Sequence, residues 1–87
     1  MTAITIYTKS TCGYCAQAKE LLRKKGAPFT EISVDGDPAG QRAMAAKANG
    51  RSTVPQIFIG ETHVGGCDDL YGLDRAGRLD RLLAAPA

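Results

Sequence analysis

The stretch Ile4-Thr5-Ile6-Tyr7-Thr8-Lys9-Ser10-Thr11-Cys12-Gly13-Tyr14-Cys15 decides how the rest of the chain is read. Ala3 to Tyr7 interleaves β-branched and apolar side chains as a strand does, and the polar run Thr8 to Thr11 ends it. A helix then begins around Cys12 to Cys15, continues through Ala16-Gln17-Ala18-Lys19-Glu20-Leu21-Leu22-Arg23, and stops at Gly26, a residue suited to a left-handed cap, with Pro28 beyond it. A strand running directly into Cys-x-x-Cys at a helix start favours redox chemistry. Unpaired N–H groups and the positive end of the helix dipole stabilise a thiolate, lowering a pKa of about 8.5 in free cysteine.

Helical geometry makes the two thiols unequal. Cys15, Ala18 and Leu22 share the inward face, whereas Cys12 sits at the exposed end before the first full turn. Cys12 is therefore the expected nucleophile and Cys15 the resolving thiol. Their Cβ atoms would lie about 5 to 6 Å apart on a regular helix, a little beyond the roughly 3.5 to 4.5 Å of a disulfide, a gap that a loose first turn can close. The other use of such spacing is zinc. Cys12, Cys15, His63 and Cys67 form a nominal ligand set, but His63-x-x-x-Cys67 is an unusual second half for a structural site. His63 reads instead as a sheet-face residue without an assigned role.

Working outward, Thr30-Glu31-Ile32-Ser33-Val34 alternates at period two as a second strand. Asp35-Gly36-Asp37-Pro38 supplies a turn and the start of a helix over about Pro38 to Ala48, which Asn49-Gly50 closes. Gln56-Ile57-Phe58-Ile59 and Thr62-His63-Val64 are strands joined by the two residues Gly60-Glu61, a tight hairpin. Gly65-Gly66-Cys67-Asp68-Asp69 introduces a helix to about Leu73, and Leu79 to Leu83 forms a short final one. The order β-α-β-α-β-β-α predicts an α/β fold with a mixed four-stranded sheet flanked by helices: a parallel first βαβ unit and an antiparallel hairpin.

Composition narrows the function. The 87 residues suffice for one domain, spanning residues 1–87, with a shallow site rather than an enclosed cavity. A 44% hydrophobic and 23% charged content is that of a soluble globular protein, with no apolar run long enough for a bilayer. Net charge +2 gives no reason to expect nucleic-acid binding, and the basic cluster Arg23-Lys24-Lys25 falls where a helix dipole favours cations. Three cysteines and no secretory signal argue against a disulfide framework and set a cytoplasmic location as the expectation.

Three motifs stand in order: Lys9-Ser10-Thr11-Cys12-Gly13-Tyr14-Cys15, Thr53-Val54-Pro55-Gln56-Ile57-Phe58-Ile59 and Gly65-Gly66-Cys67-Asp68-Asp69. Together they closely resemble the bacterial dithiol glutaredoxins over essentially the whole chain from Ile4 to Leu83. The resemblance implies a thioredoxin-like fold with Pro55 in the cis form beside the dithiol. It implies a monomeric, glutathione-dependent thiol–disulfide oxidoreductase with no tightly bound cofactor. Its partners would be disulfide-containing or glutathionylated proteins, of which ribonucleotide reductase is a family-level example.

The same resemblance distributes glutathione along a groove. Lys9 and Tyr14 lie near the glycyl end, with Arg42 a further candidate for its carboxylate, and Thr53, Val54 and Pro55 line the middle. A proline opening a strand donates no hydrogen bond and leaves the Val54 backbone free to pair with an extended peptide. The Cys67 backbone N–H and Asp68 hold the γ-glutamyl end, where a helix N-terminus attracts carboxylate. Asp68 is equally suited to capping that helix. One departure is Gly13, where many family members carry proline. Because proline-lacking members bridge an iron–sulfur cluster between two protomers, cluster bridging is one alternative, and reduction by thioredoxin reductase is another.

Overall fold

The computed structural model describes residues 3–84. Ile4–Thr8 forms β1, and the period-two geometry of a strand divides its side chains. Ile4 and Ile6 enter one hydrophobic cluster and Tyr7 another on the opposite face. Helix α1, Gly13–Lys24, buries Cys15, Ala18, Leu21 and Leu22 as a stripe, which is the inward face expected from the spacing. Gly26, at φ 66°, turns the chain away.

Strand β2, Thr30–Ser33, pairs in parallel with β1, Thr5 opposite Thr30. All four of its residues are exposed, with Ile32 at 38%. The cause is position: β2 is an edge of the sheet, whose order is β2-β1-β3-β4, and burial resumes only at Val34. Helix α2, Pro38–Lys47, starts with Asp37 accepting from the Gly40 N–H at 2.9 Å and Pro38 in the first turn. It docks through Met44 onto the face that holds Tyr7 and Val34.

Strands β3, Gln56–Ile59, and β4, Thr62–Gly65, form the expected hairpin, Ile59 opposite Thr62. Both β1–β3 and β3–β4 are antiparallel, so the sheet is mixed as predicted. Helix α3, Cys67–Arg75, runs two residues past the expected Leu73, and α4 spans Leu79–Ala84. Ala18 and Leu22 of α1, Leu70 of α3 and Leu79 and Leu83 of α4 all pack on the Ile4, Ile6 and Ile57 face. Lys25, read from sequence as a dipole complement, also ties α1 to both later helices through Asp74 at 2.7 Å and Asp80 at 3.0 Å.

This register gathers the three motifs at one end of the sheet. Tyr7 pairs with Gln56, which brings the end of β1 beside the start of β3. Ile57 pairs with Gly65, which brings the end of β4 and the start of α3 to the same place. Segments 9–15, 53–55 and 65–69 are distant in sequence and adjacent in the fold. Among the described residues no helix is long and apolar enough to cross a membrane.

Candidate active site

Cys12 is the N-cap of α1. At an N-cap the side chain normally offers oxygen to an N–H of the first turn; here sulfur does so, and Sγ accepts from the Cys15 N–H at 3.2 Å. As a thiol, Cys12 donates to the Val54 carbonyl at 3.6 Å, and its own N–H donates to the Lys9 carbonyl at 3.1 Å. The sulfur is half-buried between α1 and the segment before β3.

Cys15 differs in every respect. It is 1% exposed, and its pKa is pushed up to about 12. Burial is the main cause, followed by the hydrogen bond and the negative charge of Cys12, while the Lys9 backbone and Lys19 pull partly the other way. Cys67, 6% exposed at the first position of α3, is also raised, chiefly by burial and then by the charges of Asp68 and Cys12. All three thiols are free.

Beside Cys12 runs a groove of about 200 Å³. One wall is Tyr14, which at 62% exposure contributes nothing to the core; the floor is Thr53, Val54 and Pro55, with a cis Val54–Pro55 bond. Val54 stands outside the β3 ladder, leaving its backbone clear of the sheet. The far wall is Gly66, Cys67, Asp68 and Asp69 with Arg51. The first N–H groups of α3 have no intrahelical acceptor and carry the positive dipole end. A larger concavity of about 450 Å³ opens between β4, α3 and α4, but no cysteine lines it, so size does not locate the chemistry.

Asp69 fixes that far wall. Its Oδ2 accepts from the Gly66 N–H at 2.9 Å and from Arg51 Nη1 at 3.1 Å. The Gly66 N–H, more than the Arg51 bond, holds its carboxyl below the usual carboxylate range. Gly65 sits at φ 111°, a backbone conformation that favours glycine, and a Cβ there would displace the Asp69 carboxylate and the Arg51 guanidinium. Capping thus falls to Asp69, not Asp68, and Asp68 remains exposed at the groove.

Of the residues expected to share a site, Tyr14, Thr53, Val54, Pro55, Cys67 and Asp68 line one groove; Cys12 is tied to it through Val54, and Cys15 is buried behind Cys12. Lys9 and Arg42 do not line it. Lys9 is half-buried before α1, where its charge helps hold the Asp35 carboxyl low, after the stronger effect of the Ser10 bonds. Arg42 is exposed on α2 beside a separate shallow hollow with Gln41 and Ser52. Sequence reasoning missed Arg51 and Asp69. Asp69 lies three residues after the N-cap Gly66, a capping signal that was available. Arg51 had none, since its partner is 18 residues away. The nominal zinc ligands do not converge: His63 bonds Gln56, and among the described residues no three His, Cys, Asp or Glu side chains could hold a metal ion.

The glutaredoxin family model matches residues 4–64. The chain is 58% identical over 85 residues to a glutaredoxin of Pseudomonas aeruginosa, covering 98% of this chain and 100% of that one. It is 55% identical over 83 residues to glutaredoxin 3 of Escherichia coli K12, covering 95% and 99%. Among solved structures, the glutaredoxin of Brucella melitensis superposes with a TM-score of 0.84 at 53% identity, over 95% of this chain and 89% of that one. A buckwheat glutaredoxin–glutathione complex does so at 0.82 and 36%, over 92% and 74%. With the thioredoxin-like fold, the two unequal thiols and these likenesses in agreement, the chain belongs to the glutaredoxin family of thiol–disulfide oxidoreductases.

Proposed function

We propose that the protein reduces glutathione mixed disulfides and protein disulfides at the expense of glutathione, with Cys12 as nucleophile and Cys15 as resolving thiol. The observation that carries this reading is the Cys12 sulfur, capped by the Cys15 N–H at 3.2 Å at the side of a peptide-sized groove. In the monothiol branch, the Cys12 thiolate attacks the glutathione-side sulfur of a mixed disulfide. The substrate sulfur leaves with the electron pair of the broken S–S bond and takes a proton, and Cys12 is left bound to glutathione. A second glutathione thiolate attacks that glutathione sulfur, releasing oxidised glutathione and the Cys12 thiolate.

In the dithiol branch, Cys12 joins one sulfur of a protein disulfide and frees the other as a thiol. Cys15 then loses its proton, attacks Cys12 Sγ and expels the second substrate thiol. Two of the influences that keep Cys15 protonated, the hydrogen bond and the charge of Cys12, vanish once Cys12 is in a disulfide. Burial, the larger influence, persists through that step. Two glutathiones then reduce the Cys12–Cys15 bond, leaving as the oxidised dimer.

Glutathione suits the groove chemically. Its extended backbone can pair with Val54, its γ-glutamyl carboxylate with the N–H groups at the start of α3, and its ammonium with exposed Asp68. Tyr14 closes the glycyl side, and Lys9 and Arg42 stand outside the groove walls as cations for the glycyl carboxylate. A buckwheat relative was solved in complex with glutathione, which supports the same ligand here. The protein acts as a monomer in the cytoplasm, without a resident cofactor, on disulfide-bearing or glutathionylated proteins. The test is a disulfide-reduction assay supplied separately with glutathione plus glutathione reductase and with thioredoxin reductase. Turnover is expected with the first; turnover with the second alone overturns the reading.

A further inference from the structure

Gln56 is 0% exposed, yet it carries an amide with two N–H donors and one carbonyl acceptor. Its Nε2 donates to Thr53 Oγ1 at 3.3 Å, and its Oε1 lies 2.8 Å from Nε2 of His63 across the β3–β4 pair. The His63 ring is itself held by packing. It stacks on Phe58 with centroids 5.0 Å apart and planes at 27°, and Phe58 meets Tyr7 edge-on at 5.8 Å. The chain thus runs from a stacked imidazole on β4, through a buried amide, to an exposed threonine in the groove wall.

We infer that His63 and Gln56 are positioning residues that set the Thr53 hydroxyl as a hydrogen-bond donor to the bound thiol peptide, an inference that rests on the glutathione reading above. A hydroxyl has one proton and two acceptor sites. The Gln56 N–H occupies one acceptor site, so the Thr53 proton is left for an acceptor in the groove, a carbonyl or carboxylate oxygen such as glutathione carries. The orientation of the amide decides this. With the His63 Nε2–H donating to Gln56 Oε1, the amide must turn its N–H toward Thr53. Without that donor the amide is free to reverse, present its oxygen to Thr53 and draw the hydroxyl proton inward, away from the ligand. His63, which is not part of the groove wall, therefore determines whether Thr53 donates or accepts.

The test is steady-state kinetics with a glutathionylated peptide in His63→Phe, His63→Gln, Thr53→Val and the Thr53→Val/His63→Phe double variant. Phenylalanine keeps the stack on Phe58 and removes the N–H; glutamine replaces the ring Nε2–H with an amide N–H of similar reach. His63→Phe is expected to raise KM about three- to ten-fold, the scale of one hydrogen bond, with kcat within about two-fold. His63→Gln is expected to restore KM, and the double variant to be no worse than Thr53→Val alone. An unchanged KM in His63→Phe, or effects that multiply in the double variant, overturns the inference. In the wild-type protein, which needs no variant to fold, the Gln56 side-chain amide resonances should shift on saturation with S-methylglutathione; unmoved resonances also overturn it. Absence of glutathione-dependent turnover in the wild type would instead remove the parent reading.

Discussion

The sulfur of Cys12 accepts a hydrogen bond from the backbone N–H of Cys15 at 3.2 Å, so the two halves of the dithiol are linked before any disulfide forms. The bond costs the helix nothing, because that N–H has no intrahelical acceptor. It places the reactive sulfur at the open end of the turn and keeps the second sulfur inside it.

Selective alkylation follows. Reduced protein treated with iodoacetamide near pH 7 should be modified first at Cys12, with Cys15 and Cys67 protected by burial and by their raised pKa values. Peptide mapping after partial reaction reads the order, and early label on Cys67 would mean that the groove is more open there than its 6% exposure implies.

The pH dependence of stability has a definite sign. Cys15 titrates near 9 when unfolded and near 12 when folded, so the folded state binds more protons between those values. Its contribution is complete below about pH 9 and is lost as pH rises, at up to about 1.4 kcal/mol per unit for one group. Lys25 is raised as well, through Asp74 and Asp80, and loses stability in the same direction. Urea unfolding of reduced wild type and Cys15→Ala between pH 8 and 11 separates them: the alkaline slope should be shallower in the variant, and equal slopes contradict the assignment.

Gly13 is the first residue of α1, its added Cβ would meet nothing within 4 Å, and Cys12 before it is extended at φ −96° and ψ 109°. Proline fits each of these conditions. Gly13→Pro should raise stability by about 0.4 to 1 kcal/mol by restricting the unfolded chain, measurable as an increased urea midpoint; a decreased midpoint would show that the Gly13 N–H is needed.

Asp69→Ala removes the bond to the Gly66 N–H and leaves Arg51 without its partner. The loss should be about 1 kcal/mol, or a fall in Tm of roughly 4 to 8 °C, with a higher KM because Cys67 and Asp68 are then less fixed. Arg51→Ala should cost less, since that pair is half-exposed. Equal melting temperatures for Asp69→Ala and wild type would contradict this role.

Much of this was legible in the sequence because it depends on local order. The stripe Cys15, Ala18, Leu22 and the two-residue turn Gly60-Glu61 are short-range patterns with one reading each. The burial of β2 was not legible, because whether Ile32 faces core or solvent depends on where the strand falls in the sheet. Arg51 and the Gln56–His63 pair were hidden for a related reason: their meaning lies in partners that only the β3–β4 register and the start of α3 bring close. The asymmetry of Cys12 and Cys15 was readable from helix position, and the structure adds its main cause, the burial of Cys15 behind a half-buried Cys12.

The most direct test is mass spectrometry of Cys15→Ser after mixing with one equivalent of a glutathionylated peptide. The account expects one glutathione on Cys12, with the peptide released as free thiol and the adduct cleared by added glutathione. An adduct on Cys67, a peptide rather than glutathione on Cys12, or no transfer at all would contradict it.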